Sequence, residues 1–289
     1  MKKIAVIGLG LMGGSMVKAL KKKGKYKLVG FDISFDTLSL AQKDGFIDEI
    51  WNGKDKLDSD ITVVALSPSK TIDFINEKIN LLKKGSILTD ICGVKESICA
   101  FAEKQAEKYD INYVGGHPMA GRELSGFSNS VENLFINRSY ILTKTDKTNE
   151  NALEELSEMA YGLGCSDITV TTPKKHDEMI AYTSQLPHIL AGAYVKSPAS
   201  DEHKGFSAGS YHDVSRVASV DENLWSELFL LNKENLLIEI DILLKNITEY
   251  KGALISEDKQ RILNAVKEGR LLKERDIIKN GEEKPHNFG

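Results

Sequence analysis

Three short stretches of the sequence carry residues whose types and spacing could do chemistry. In IGLGLMGGS, Gly8, Gly10 and Gly13 form a GxGxxG pattern directly after the apolar run KKIAVI and ahead of a helical pattern. That context suits a dinucleotide. The first glycine makes the tight turn, the second lets the backbone approach a pyrophosphate, and the third lets the helix pack closely on the strand. The helix start then offers free N–H groups and its positive dipole end to the phosphates. Asp32 closes the next strand run, KLVGFD, at the roughly 20-residue distance where a carboxylate accepts from ribose hydroxyls. A negative charge there repels a 2′-phosphate and favours NAD over NADP. Leu11 and Met12 inside the loop, and Ser67 after the run ITVVAL, are expected to complete the cofactor contacts. Without a ligand, the same residues would make only a tight turn followed by an acidic helix cap.

The second stretch is YVGGHPMAGRELSG, which sets His117 after two glycines and before a proline. Gly115 and Gly116 are expected to end a strand and permit a tight turn, with Pro118 stiffening the exit. His117 would then lie at the carboxyl end of a sheet, where open α/β sheets bind ligands. A neutral imidazole there can accept a proton from a hydroxyl undergoing oxidation. Taken alone, a histidine in a loop more often just satisfies backbone groups. The third stretch is YHDVSRVAS, with Arg216, whose planar guanidinium suits bidentate binding of a carboxylate. Its bland reading is a surface pair with Asp213, three residues earlier, and both roles are compatible.

The elements that must position these residues are legible from periodicity. Short apolar runs alternate with helical patterns: IAVIG, KLVGFD, ITVVALS, SILTD and INYVGG, each separated from the next by a helix-like segment. This is the pattern of βαβ units around a parallel sheet buried on both faces. Two further runs, SYILTKT and ITVTT, flank the helical NENALEELSEMAYGLG and are expected to extend the same sheet. From Pro173 no strand pattern remains, and apolar-rich helices take over, including LWSELFLLNKENLLIEIDILLKNITEY. That segment is apolar on most sides, which suits the core of a helical domain or a dimer interface. The expected fold class is α/β, an amino-terminal Rossmann-type domain with a mainly parallel sheet over residues 1–172. An all-helical carboxy-terminal domain is expected over residues 173–289.

Composition narrows the function classes. The 289 residues carry 38 Lys and Arg against 42 Asp and Glu, with both signs interspersed, so nothing marks a nucleic-acid or anionic-membrane surface. A small anionic ligand would need a local cationic site. The 3 cysteines, Cys92, Cys99 and Cys165, form no CxxC pair and no even set, so neither structural zinc nor a disulfide framework is expected, and no metal site is assigned. The opening MKKIAVIGLGLMGGSMVKAL resembles a secretory signal only superficially. Glycines interrupt its apolar run and KALKKKG follows it, so it is read as the start of a fold in a cytoplasmic protein.

Five words occur together and in order: IGLGLMGGS, LTDICGVK, GGHPMAG followed by Glu123, SQLPH, and YHDVSRVASVDENLW. In these the chain resembles the prephenate dehydrogenase family over nearly its whole length. The resemblance implies an NAD-dependent homodimeric enzyme of tyrosine biosynthesis with a helical dimerisation domain. Its expected reaction is the oxidative decarboxylation of prephenate, or of arogenate in some relatives. It also implies site roles: His117 as the group that draws the proton from the ring hydroxyl, Arg216 on a substrate carboxylate, His188 near the substrate side chain, and Glu123 near the pocket mouth. Two departures stand out. Gly93 replaces a serine common in LTDICGVK, and Gln185 stands where relatives often have histidine. The competing expectations are a β-hydroxyacid dehydrogenase, whose opening glycine loop is similar, and a nucleotide sensor without turnover. The first needs a lysine in a glycine-rich helix start, which the helical half lacks; the second needs neither His117 nor Arg216.

Overall fold

The computed structural model describes residues 1–122 and 124–280. Six strands, β1 (Lys2–Ile7), β2 (Tyr26–Phe31), β3 (Glu49–Ile50), β4 (Ile61–Val64), β5 (Ile87–Asp90) and β6 (Asn112–Tyr113), form a sheet in the order β3-β2-β1-β4-β5-β6. Every adjacent pair in it is parallel. Helices α1 (Leu11–Lys23), α2 (Phe35–Lys43), α3 (Pro68–Lys78) and α4 (Glu96–Tyr109) alternate with the strands. The apolar runs are buried because both sheet faces are covered. Ile4, Val6 and Val63 enter one core cluster, while Ala5, Ile7 and Val64 enter another. The strand order reverses between β1 and β4, and ligands of open α/β sheets bind outside the strand ends at such a point.

SYILTKT and ITVTT form strands but do not extend this sheet. β8 (Ser139–Thr143) pairs antiparallel with β7 (Gly115–Pro118) and parallel with β9 (Asp167–Thr171), giving a separate three-stranded sheet joined through α5 (Glu150–Leu163). The apolar run INYVGG therefore splits. Val114 still donates to Leu88 O of β5, and the chain then leaves for the second sheet. The glycines permit this by close approach, not by a left-handed turn, since neither has a positive φ. A Cβ on Gly115 would lie 2.5 Å from Thr143 Oγ1, and one on Gly116 would lie 2.8 Å from Asp90 O.

After residue 172 the structure is helical: α6 (Pro173–Ile180), α7 (Leu186–Tyr194), α8 (Gly209–Ser215), α9 (Glu222–Leu231), α10 (Lys233–Ile255) and α11 (Lys259–Asn280). A wide π turn at Ala181–Gln185 joins α6 to α7, with Leu186 N–H reaching back to Ala181 O. Pro187 lies just beyond and has no N–H to continue the regular ladder, a recognised local cause of such bulges. The long apolar run is two helices, not one, and the break is at Asn232. Its buried amide donates to Asp177 O at 2.9 Å and to Gln185 Oε1 at 2.8 Å. Gln185 in turn donates to Leu228 O, so it serves as a structural tie.

The chain divides into two compact units, residues 1–236 and the residues from 237 onward. In the second unit Leu237, Ile238, Ile242, Leu244 and Ile247 stay about half exposed, so their apolar character is not explained by burial within the single chain. Among the described residues no helix is long and apolar enough to cross a membrane.

Replacing Asn232 with leucine keeps the volume but leaves two buried acceptors without their donor, at a cost of about 1–3 kcal/mol. Thermal unfolding of Asn232→Leu is expected several degrees below that of the parent; an unchanged midpoint would show that the amide does not hold α6 and α9 together.

Candidate functional site

The loop after β1 has the shape its glycines predict. Gly8 has φ +89°, and a Cβ there would come within 2.7 Å of Ala65 O, so only glycine fits. A Cβ on Gly13 would lie 1.9 Å from Gly8 O, which is the close helix-to-strand packing. Around Gly10, by contrast, a Cβ would meet nothing within 4 Å, so its backbone faces open space that a phosphate can enter. α1 begins beside it at Leu11 and Met12 with no side-chain cap and no acidic residue in its first turn. Its leading N–H groups therefore meet no side-chain acceptor there and fit an anion. Asp32 is anchored beside this loop, accepting from Leu9 N at 2.7 Å and from Ser34 N at 2.8 Å. The donor set and the cradle fit a dinucleotide. Ser67 precedes α3 at the end of β4 and makes no capping bond to its own helix. Glu227 of α9 supplies that cap instead, accepting from Ser69 N at 2.5 Å.

His117 lies in β7, opposite Ile141 of β8. Its Nδ1 is 2.8 Å from Nε2 of His176, and His176 Nδ1 is 2.7 Å from Asp177 Oδ1. Asp177 also accepts from two backbone amides at the start of α4: Lys95 N–H donates to Oδ1 at 2.7 Å and Glu96 N–H to Oδ2 at 2.8 Å. The sequence alone does not single out His176 and Asp177. Their only signal is a His-Asp pair shortly after Pro173, and nothing in a 59-residue separation from His117 announces the contact.

Behind these rings lies a second buried group. Asp90, the last residue of β5, pairs with the fully buried Lys95 ammonium, accepts from Tyr113 Oη at 2.5 Å, and accepts from Cys92 N at 2.8 Å. Burial pushes Lys95 toward neutrality, but Asp90 more than offsets it and the lysine's pKa stands above its ordinary value. His117 is half-buried as a residue, and desolvation of its ring, with lesser contributions from His176 and Lys95, holds its pKa well below 6.5. His176 is fully buried, and desolvation lowers its pKa too despite the opposing pull of Asp177. Both rings are therefore neutral at pH 7. Burial raises the thiol pKa of Cys92, Cys99 and Cys165, which makes all three poor nucleophiles.

Gly93 is part of this site although it has no side chain to offer. A Cβ on it would meet Leu228 Cδ2 at 3.3 Å and His117 Cε1 at 4.0 Å. Leu228 thus fills the space where a serine side chain would stand. Three residues earlier on α9, Trp225 stacks on His188 with ring centroids 3.7 Å apart. His188 Nδ1 donates to Ser184 O at 2.7 Å, which fixes that ring's orientation. Arg216 is exposed where α8 runs into a short 3₁₀ turn, Arg216–Ala218, that packs against α7. Arg122 closes its own loop, with Nη1 3.4 Å from Asn129 O. Glu123 lies outside the described residues.

The comparisons with known proteins bear on this arrangement. The family model described as "Prephenate dehydrogenase, nucleotide-binding domain" matches residues 16–168, and "Prephenate dehydrogenase, dimerization domain" matches residues 172–268. The chain is 32% identical to prephenate dehydrogenase of Lactococcus lactis, over 97% of this chain and 79% of that protein. It is 31% identical to prephenate dehydrogenase of Bacillus subtilis, over 91% of this chain and 73% of that one. A crystal structure of prephenate dehydrogenase from A. aeolicus in complex with hydroxyphenyl propionate and NAD+ superposes with a TM-score of 0.84 at 28% identity, covering 95% of this chain and 98% of that one.

The two glycines separate fold from binding. Gly13→Ala is expected to lower the unfolding midpoint and abolish dinucleotide binding. Gly10→Ala is expected to leave the midpoint near that of the parent while weakening NAD binding, read by calorimetry, at least about tenfold, since it interferes only when a phosphate is present. Equal NAD affinity in Gly10→Ala and the parent would remove this loop from the cofactor site.

Proposed function

The chain belongs to the prephenate dehydrogenase family, and from that membership and the geometry at His117 we propose how its residues carry the reaction. The protein is an NAD-dependent oxidoreductase that converts prephenate to 4-hydroxyphenylpyruvate and carbon dioxide, a step of tyrosine biosynthesis. The single observation that carries the residue assignment is a neutral histidine at the carboxyl end of the sheet, bonded through one ring nitrogen and leaving the other for substrate.

When bound, NAD supplies the hydride acceptor. Gly8, Gly10, Leu11, Met12 and Gly13 form the cradle for its pyrophosphate, Asp32 accepts from the ribose hydroxyls, and Ser67 lines the crevice at the end of β4. His117 accepts the proton of the ring hydroxyl as hydride leaves the carbon that bears it. Loss of the ring carboxylate then aromatises the ring, and His117 returns the proton to the resulting phenol oxygen. Proton and charge balance without any further reactant. Arg216 binds a substrate carboxylate through its planar fork. His188, held by Ser184 and Trp225, serves the substrate side chain, and a role for Glu123 rests on the family resemblance alone.

Residues 1–172 act as the nucleotide-binding domain and residues 173–289 as the substrate and dimerisation domain. The half-exposed apolar residues of α10 are the natural surface for a second copy in a homodimer, given the dimerization-domain match. The expected compartment is the cytoplasm, where the three buried cysteines remain reduced thiols.

Purified protein is expected to form NADH from NAD and prephenate. His117→Asn should lower kcat by roughly 10²- to 10⁴-fold with little change in KM for prephenate. Parent-like turnover in that variant would remove the histidine from the reaction. Only the neutral ring accepts a proton and its pKa is depressed, so kcat/KM should stay level through neutral pH and fall only on the acid side, below about 6.5. A limb at or above that value would contradict the buried, neutral assignment. Asp32→Ser should narrow the ratio of NAD to NADP turnover; an unchanged ratio would move cofactor selection elsewhere.

A further inference from the structure

The neighbours of His117 determine which of its nitrogens can act. Asp177 accepts from the N–H groups of Lys95 and Glu96, which can only donate, and it lies at the start of α4, where the helix dipole favours a carboxylate. A carboxylate accepts, so the proton in its 2.7 Å bond to His176 is on His176 Nδ1. A neutral His176 then presents a lone pair at Nε2, and the 2.8 Å bond between the two rings must be donated by His117 Nδ1–H.

We propose that His176 and Asp177 are positioning residues that lock His117 in its Nδ1–H tautomer, so that Nε2 is the atom that takes the proton from the substrate hydroxyl. This rests on the reading of His117 as proton acceptor and deepens it. The same chain supports the imidazolium formed during turnover, because its Nδ1–H already points along a path that ends on a carboxylate. The charged groups around the rings are accounted for. Lys95, on the loop after β5, is paired with Asp90 of β5, and Asp177 of α6 is bonded to His176. From α9 the neighbouring side chain is the apolar Leu228.

His176→Phe tests the lock, because it removes the acceptor that holds the proton on His117 Nδ1. The expected result is a fall in kcat of at least about 10²-fold, with KM for prephenate and Kd for NAD within about threefold of the parent. His176→Gln, whose Oε1 can accept from His117 Nδ1–H, should recover at least about tenfold over the phenylalanine variant. Should a variant fail to fold, ¹⁵N NMR of the ring nitrogens in the unmodified protein reports the tautomer of His117 at neutral pH. The Nδ1–H form is expected. Observation of the Nε2–H form, or a His176→Phe enzyme with parent-like kcat, overturns the proposal. Parent-like activity of His117→Asn would instead defeat the reading beneath it, so the two failures are distinguishable.

Discussion

The site depends on one interaction, the Asp177 carboxylate bound to the amide groups that open α4. Each amide-to-carboxylate bond of this kind contributes about 1.5–3 kcal/mol, and together they fasten α6 to the loop that follows β5. Asn232 grips the same residue through its carbonyl oxygen. Asp177 therefore fixes three things at once: the start of the helical segment against the parallel sheet, the break between α9 and α10, and the ring of His176. His117 takes its orientation from that last contact.

The buried Asp90–Lys95 pair supports this arrangement from below. An ion pair in the interior contributes little net stability, because desolvation cancels most of the attraction. What it does here is geometric. Asp90 fixes the turn through Cys92 N and the strand through Tyr113, while the Lys95 side chain runs alongside Gly115, its Cδ 3.1 Å from where a Cβ there would stand. The backbone of Lys95 then points its N–H at Asp177. One residue thus ties the end of β5 to both β7 and α6. The two charges of the pair also act on His176 in opposite directions, Lys95 lowering its pKa and Asp90 raising it.

Much of this was legible in the sequence where a local rule applies. The alternation of apolar runs and helical patterns identified the parallel sheet, since strands buried on both faces leave near-continuous runs of Ile and Val. The roles of Gly8, Gly10 and Gly13 follow from sterics within a few residues of each. What escaped the sequence depends on long-range placement. β-Strand propensity in SYILTKT and ITVTT says nothing about which sheet they join, and the choice was made by how closely Gly115 and Gly116 could pass Thr143 and Asp90. Helical periodicity across residues 224–250 hid the break at Asn232, because its cause is a pair of acceptors far away in sequence. His176 reads as an ordinary helix histidine until it is seen against His117. Gly93 reads as a missing hydroxyl until Leu228 is found in its place.

The central claim is that a neutral His117, held from behind through Nδ1, faces the substrate hydroxyl through Nε2. The most direct measurement is a crystal structure of this protein with NAD and a hydroxyphenyl analogue of the substrate. The account requires the analogue's hydroxyl oxygen to lie about 2.6–3.2 Å from His117 Nε2, with the His117–His176 bond intact and a ligand carboxylate on Arg216. A hydroxyl bonded to some other group, or a His117 ring rotated so that Nδ1 meets the ligand, would contradict it.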